Sequence, residues 1–381
     1  MRYFLTPIIL GLVFVSGLNV YIDPANRWRA QSFAFETNWH ENECWVGPIR
    51  IEERRLRSKQ IPLLSKIDLL GIGSSRIMNV DTEMLSLKNG FYNASVSGAS
   101  VWDYIAQWQQ FKESKNIPKR MMIYVDTWVF NKNTWHKYRW TPNYKSVLNF
   151  LLGFANDYQG PYNREPVKNI KLIFTAAFDW LTGTFLEFVD LFSPAVLKVS
   201  LQELKIALRG ENIKSNYISD ITNRPAQYPS WRADGSKLYP FAEDIPKTIE
   251  EISAIGRNIA VGGMYVYMMN WETDHTAIEL MDLLLADAKA NGVEVLLVHP
   301  PFQHSAYEIM LKRPEYKDIR QYFDNSILPL VKKYKNVGYC DVLNPSIAGC
   351  EPTEFVDSAH TLKSCAKKIL NYCSSNWPSH N

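Results

Sequence analysis

The sequence predicts an α/β fold, a three-layer sandwich with a mainly parallel sheet between helices, and three observations carry that reading. Short apolar runs end in turn residues, as in Ile67–Gly73 and Val293–Val298. Amphipathic stretches separate these runs. Ala277–Ala290 puts Ile278, Met281, Leu284 and Leu285 on one face and ends at Asn291-Gly292, a C-terminal cap pair. The runs have no polar alternation, which fits strands covered on both faces.

Taken in order, the chain opens with an apolar run, Tyr3–Ile22, preceded by Arg2 and closed by Asp23-Pro24. About twenty apolar residues suffice to span a bilayer. Val15-Ser16-Gly17 is a poor small-x-small cleavage site, so residues 1–23 read as an uncleaved transmembrane signal-anchor. Flanking charge leaves the orientation open, because Arg2 and the α-amine stand against Arg27 and Arg29. Residues 24–62 read as a polar stalk dotted with aromatics. Its basic block, Arg54-Arg55-Leu56-Arg57-Ser58-Lys59, follows Glu52 and Glu53 and reads as a solvated helix face, not a nucleic-acid patch.

The α/β body is expected over 63–144 and 263–381. Strands are expected at Ile67–Gly73, Gly90–Asn93, Met121–Asp126, Val293–Val298 and Val337–Asp341. Helices are expected at Val101–Trp108, Ala277–Ala290, Ile319–Tyr334 and Thr361–Tyr372. Residues 145–262 break the rhythm and read as a largely helical insertion, a lid or a membrane-surface element. Within it, Leu172–Leu191 is rich in Phe and Leu, but Asp179, Glu187 and Asp190 argue against a second span.

The 381 residues carry a net charge of +3 and 46% hydrophobic content, which excludes disorder and gives no reason to expect a nucleic-acid partner. The five cysteines lack Cys-x-x-Cys spacing, so a zinc site is not expected. In an oxidising compartment Cys340 could pair with Cys350, or Cys365 with Cys373. Buried thiols are the alternative, and the sequence leaves connectivity open.

Two short motifs carry the chemistry. Gly73-Ser74-Ser75 follows the first expected strand, and Asp357-Ser358-Ala359-His360 precedes the last helix. A serine nucleophile needs a base, and the base needs an orienting carboxylate. Ser75, His360 and Asp357 supply the three. The expected strand at Met121–Asp126 runs into Thr127-Trp128, and an aromatic loop follows, with Trp128, Trp135, Tyr138, Trp140 and Tyr144. Such rings suit stacking on sugars, or packing between sheet and insertion. His136 and Arg139 could meet an anionic substrate. His299 follows another strand and reads as a pocket-lining residue or a rival base, yet its adjoining loop has no carboxylate. His299 and His304 lack the company that a metal site needs, so no metal or cofactor is expected.

These motifs resemble the SGNH (GDSL-like) hydrolase superfamily, whose sandwich is of flavodoxin-like type. Gly73-Ser74-Ser75 stands for the first block, with Ser74 in place of the family aspartate. Asn93-Ala94-Ser95-Val96-Ser97-Gly98 stands for the second, and Asp357-x-x-His360 for the last. The third block departs: Asp126-Thr127-Trp128 replaces Gly-x-Asn-Asp. The closer likeness is to membrane-anchored members, among them the alginate O-acetylation proteins and the teichoic-acid D-alanyl-transfer protein. The resemblance implies an extracytoplasmic serine esterase or O-acyltransferase acting on acyl esters of a cell-envelope glycan or polymer. It implies an oxyanion hole from Ser75 and Gly98, with Asp126 in the asparagine's place. Trp128, His136, Trp140 and His299 are the expected substrate contacts from their places in these loops, no cofactor is expected, and the resemblance implies a membrane-bound O-acyltransferase as partner. The alternative is a non-catalytic envelope protein that binds glycan or such a partner.

Overall fold

The computed structural model describes residues 2–23, 44–46, 52–87, 90–134, 138–156, 166–208, 216–218, 230–238, 247–262 and 271–378. In chain order the first elements are α1 (Arg2–Ile22), β1 (Cys44–Val46), α2 (Glu53–Gln60), β2 (Leu69–Ile72), β3 (Phe91–Asn93), α3 (Val101–Glu113) and β4 (Arg120–Tyr124). The middle holds α4 (Tyr144–Asn156), α5 (Pro166–Asp190), α6 (Pro194–Leu208), β5 (Asn216–Ile218), β6 (Ser230–Arg232), β7 (Lys237–Leu238) and α7 (Ile249–Gly262). The last third holds α8 (His275–Ala290), β8 (Glu294–His299), α9 (His304–Leu311), α10 (Pro314–Lys333), β9 (Val337–Asp341) and α11 (Lys363–Cys373).

The main sheet is five parallel strands in the order β3-β2-β4-β8-β9. Because side chains alternate across a strand, each central strand feeds two cores. Leu70, Ile72, Met121, Ile123, Val295 and Leu297 pack beneath α3, α4, α8 and α10. Leu69, Met122, Tyr124, Leu296 and Val298 pack on the opposite face with Ile77, Val80 and α11. The α/β architecture with helices on both faces follows from that division. All five expected strands of the body are present.

Three expectations change. The segment read as a stalk is built into the molecule where it is described. β1 lies between β5 and β6 in a second, antiparallel sheet, β5-β1-β6-β7, so the insertion contains strands as well as helices. The basic block is not a solvated face. In α2, Arg54 is buried against Asp103 at 2.7 Å, and Arg57 is fully buried, donating to the Gly235 carbonyl at 2.7 Å. Partners buried from elsewhere in the chain make those charges tolerable, which local sequence does not reveal. The cysteines pair in a nested order, Cys340–Cys373 and Cys350–Cys365, and neither expected pairing occurs. The sheet brings β9 beside α11, so the outermost cysteines meet.

By length and composition α5 is long and apolar enough over Ile170–Asp190 to cross a membrane, whereas the apolar part of α1 described as such is the shorter Ile9–Ile22.

Candidate active site

Ser75 sits in the turn that leaves the carboxyl end of β2. Functional groups in parallel sheets collect at that edge. Gly73 precedes it with φ +156°, and a Cβ there would lie 2.9 Å from Ile77 and 3.0 Å from Tyr124, so this sharp exit requires glycine. The turn is then held from several sides. The Val96 N–H donates to the Gly73 carbonyl, and the Asn93 side chain donates to the carbonyls of Ile77 and Val80. Asn79 reaches across to the Thr361 carbonyl at 2.6 Å.

The last motif arrives from the other side. Its backbone folds on its own carboxylate: the N–H groups of Ala359 and His360 both donate to Asp357 Oδ1 at 2.8 Å. The Gln303 N–H donates to the Ser358 carbonyl, fixing this loop to the loop after β8. His360 Nδ1 lies 2.7 Å from Asp357 Oδ2, and His360 Nε2 lies 2.7 Å from Ser75 Oγ. Residues 285 positions apart therefore form one continuous hydroxyl–imidazole–carboxylate line. All three side chains are partly open to solvent. Burial alone would raise the Asp357 carboxyl. The His360 ring and the two backbone donors outweigh it and hold Asp357 at about 2.

Asp126 has another occupation. It is fully buried, and Oδ1 accepts from Arg76 Nη1 at 2.9 Å. Burial pushes its carboxyl up, while Arg76 and the Ser74 hydroxyl favour the ionised form. Fully buried and paired with Arg76, the Asp126 side chain is turned away from solvent and committed to holding the Ser75 turn. Gly98 lies in the turn after β3 with φ +58°, and its carbonyl and that of Ser97 accept from Arg54.

Arg76 is the residue that sequence reasoning passed over. Besides Asp126, its Nε donates to the Ala359 carbonyl at 3.2 Å and its Nη2 donates to the Pro301 carbonyl. Its guanidinium lies 4.3 Å from the Phe302 ring centre and 5.9 Å from that of Trp128. Burial lowers its pKa, and Asp126 and Asp357 work against that. One planar fork thus joins four loops at the sheet edge. The only signal in the sequence was its position directly after the serine.

The substrate-contact expectations divide. Trp140 is fully buried and stacks on Trp102 at 4.9 Å, so it is a core residue and cannot meet a ligand. Trp128 is also buried, beneath Arg76. Trp135 and His136 lie outside the described residues. His299 is fully buried, with Nε2 3.0 Å from Thr127 Oγ1 and its ring stacked on Phe323. It does have a carboxylate, Asp341, at 3.4 Å from Nδ1. That acid is its register partner on β9, a neighbour in the sheet and not in the chain. Burial lowers the His299 pKa, favouring a neutral ring away from solvent. Among the described residues no group of His, Cys, Asp and Glu side chains could hold a metal ion.

The chain matches no known protein-family model and no curated protein.

Proposed function

We propose that this protein is a membrane-anchored, extracytoplasmic serine esterase or O-acyltransferase of SGNH type. It acts on acyl esters of a cell-envelope glycan or polymer. One observation carries the reading: the unbroken 2.7 Å contacts from Ser75 Oγ through His360 to Asp357. His360 Nε2 takes the Ser75 proton as Oγ attacks the ester carbonyl. The tetrahedral intermediate collapses to an acyl-serine, and His360 returns the proton to the departing alkoxide. A second hydroxyl, from water or from a glycan, then reverses these steps and takes the acyl group. Asp357 fixes the imidazole tautomer and stabilises the imidazolium. Backbone N–H groups at Ser75 and Gly98 are the donors assigned to the oxyanion, since Asp126 is engaged by Arg76. A flavodoxin-like SGNH sandwich agrees with the parallel sheet, and the resemblance to membrane-anchored members points to a membrane-bound O-acyltransferase as partner.

Two disulfides support an oxidising compartment. With the apolar α1 they support anchoring at the cytoplasmic membrane with the body in the periplasm or at the cell surface.

The test is covalent trapping. A fluorophosphonate should label the wild type at Ser75, releasing fluoride, and should label neither Ser75→Ala nor His360→Ala. Wild type that stays unlabelled overturns the catalytic reading. A second reading, a non-catalytic glycan-binding protein, draws on the missing third-block amide. Glycan binding that survives both substitutions, without turnover of acetyl esters, selects it.

A further inference from the structure

The helix α5 exposes an apolar stripe that the other described residues leave uncovered. Ile170, Phe174, Phe178, Leu181, Phe185 and Phe188 are each at least 51% exposed. At about 3.6 residues per turn they share one side of the helix. The opposite side is committed to the α/β body. Leu172 and Ala176 are buried, and Gly183 packs so closely on Thr141 that a Cβ would come within 2.5 Å of it. Trp180 stacks on Tyr144 at 4.9 Å. The acids that interrupt the sequence also turn toward the body. Asp179, Glu187 and Asp190 are partly buried, and Glu187 pairs with Arg55 at 3.6 Å. They break up the run in the chain without entering the exposed stripe.

The position of this stripe is fixed relative to α1. Asn19 of α1 is fully buried, donating to the Leu191 carbonyl at the end of α5 at 2.7 Å and accepting from Ser200 of α6 at 2.8 Å. α1 touches α6 and keeps Ile9, Leu10, Val13 and Phe14 exposed. One side of α6 carries an open, mainly apolar groove lined by Leu197 and Leu201, with Lys198, Gln202 and Lys205 beside them. Long basic side chains beside an apolar floor suit the boundary between lipid tails and anionic headgroups.

We propose that the exposed face of α5, with the α6 groove, is a second membrane contact that lies in the bilayer surface. The occupant is the lipid of the membrane that α1 enters, so this inference rests on the anchoring reading above. A helix held along one side by a water-soluble body cannot cross the bilayer, yet its other side is too apolar for water. The body is then held flat against the membrane by two elements, not tethered to it by one.

The experiment uses the full chain in phosphatidylethanolamine–phosphatidylglycerol vesicles. Phe178→Cys and Phe185→Cys carry a bimane label, with Phe14→Cys in α1 and Lys332→Cys on α10 as references. A nitroxide on the lipid acyl chains should quench positions 178 and 185 at least about threefold more than position 332, and aqueous iodide should show the reverse order. If position 14 is quenched by lipid but 178 and 185 behave like 332, the proposal fails and the anchor stands. If position 14 is also open to iodide, the anchor itself fails. Protection of 178 from iodide in native membranes only, with exposure in these vesicles, overturns lipid in favour of a membrane protein partner.

Discussion

At the scale of single residues, two side chains at the site do different work. Asp357 orients and Arg76 assembles. Asp357→Asn keeps the shape but loses control of the imidazole tautomer, so kcat should fall by about 10⁴-fold with the fold intact. A fall under about tenfold would remove Asp357 from the catalytic line. Its acid response has a definite sign. The folded carboxyl is depressed from 3.8 to about 2, so its contribution to stability is complete above the unfolded value. It is lost as pH falls from 3.8 toward 2. Thermal melts should therefore converge between wild type and Asp357→Asn over that window, and parallel curves would reject the assignment.

Arg76 and Asp126 form a buried ion pair, and removing one partner strands the other. Arg76→Met should cost about 3–5 kcal/mol by urea denaturation. The double variant Arg76→Met, Asp126→Leu should recover much of that stability. It should not recover the labelling rate, because the carbonyls of Ala359 and Pro301 still lose their common donor. Equal recovery of stability and labelling would reduce Arg76 to packing.

At the scale of elements, the placing of Ser75 depends on how β2 ends. Gly73→Ala forces a side chain into a region of backbone space costing on the order of 1–3 kcal/mol and against Tyr124. We expect a lowered melting temperature together with slowed Ser75 trapping. Unchanged trapping would mean that the turn tolerates another path. The elements themselves were largely readable. Val337–Asp341 coincides with β9, and the helix expected at Ala277–Ala290 starts only two residues earlier as α8. Continuous apolar runs and a cap pair report local physics, so local sequence suffices. The short strands β5, β6 and β7 were missed because so few residues carry no periodic signal. β5 and β6 pair with β1, a strand far away in the chain, and β7 pairs with β6.

At the scale of the whole molecule, the C-terminal part is tied to the sheet by nested disulfides that close separations of 33 and 15 residues. In the chain-entropy account a 15-residue loop is worth about 3 kcal/mol. Reduction with a thiol should lower the melting temperature and slow Ser75 trapping, because α11 follows directly on the His360 loop. A melt indifferent to reductant would contradict this coupling.

The sequence by itself determined the alternation of strands and helices, the two motifs that supply Ser75 and the Asp357–His360 pair, and the apolar character of α1, since each depends on residues close together in the chain. Tertiary structure alone decided the rest. It turned the basic block inward onto Asp103 and Gly235, buried Trp140 and His299, and supplied Asp341 from the neighbouring strand. It also set the cysteine pairs and made Arg76 the centre of the site. The physical reason is common to all of these. Burial and charge pairing depend on which distant groups share a volume, and no local pattern encodes that.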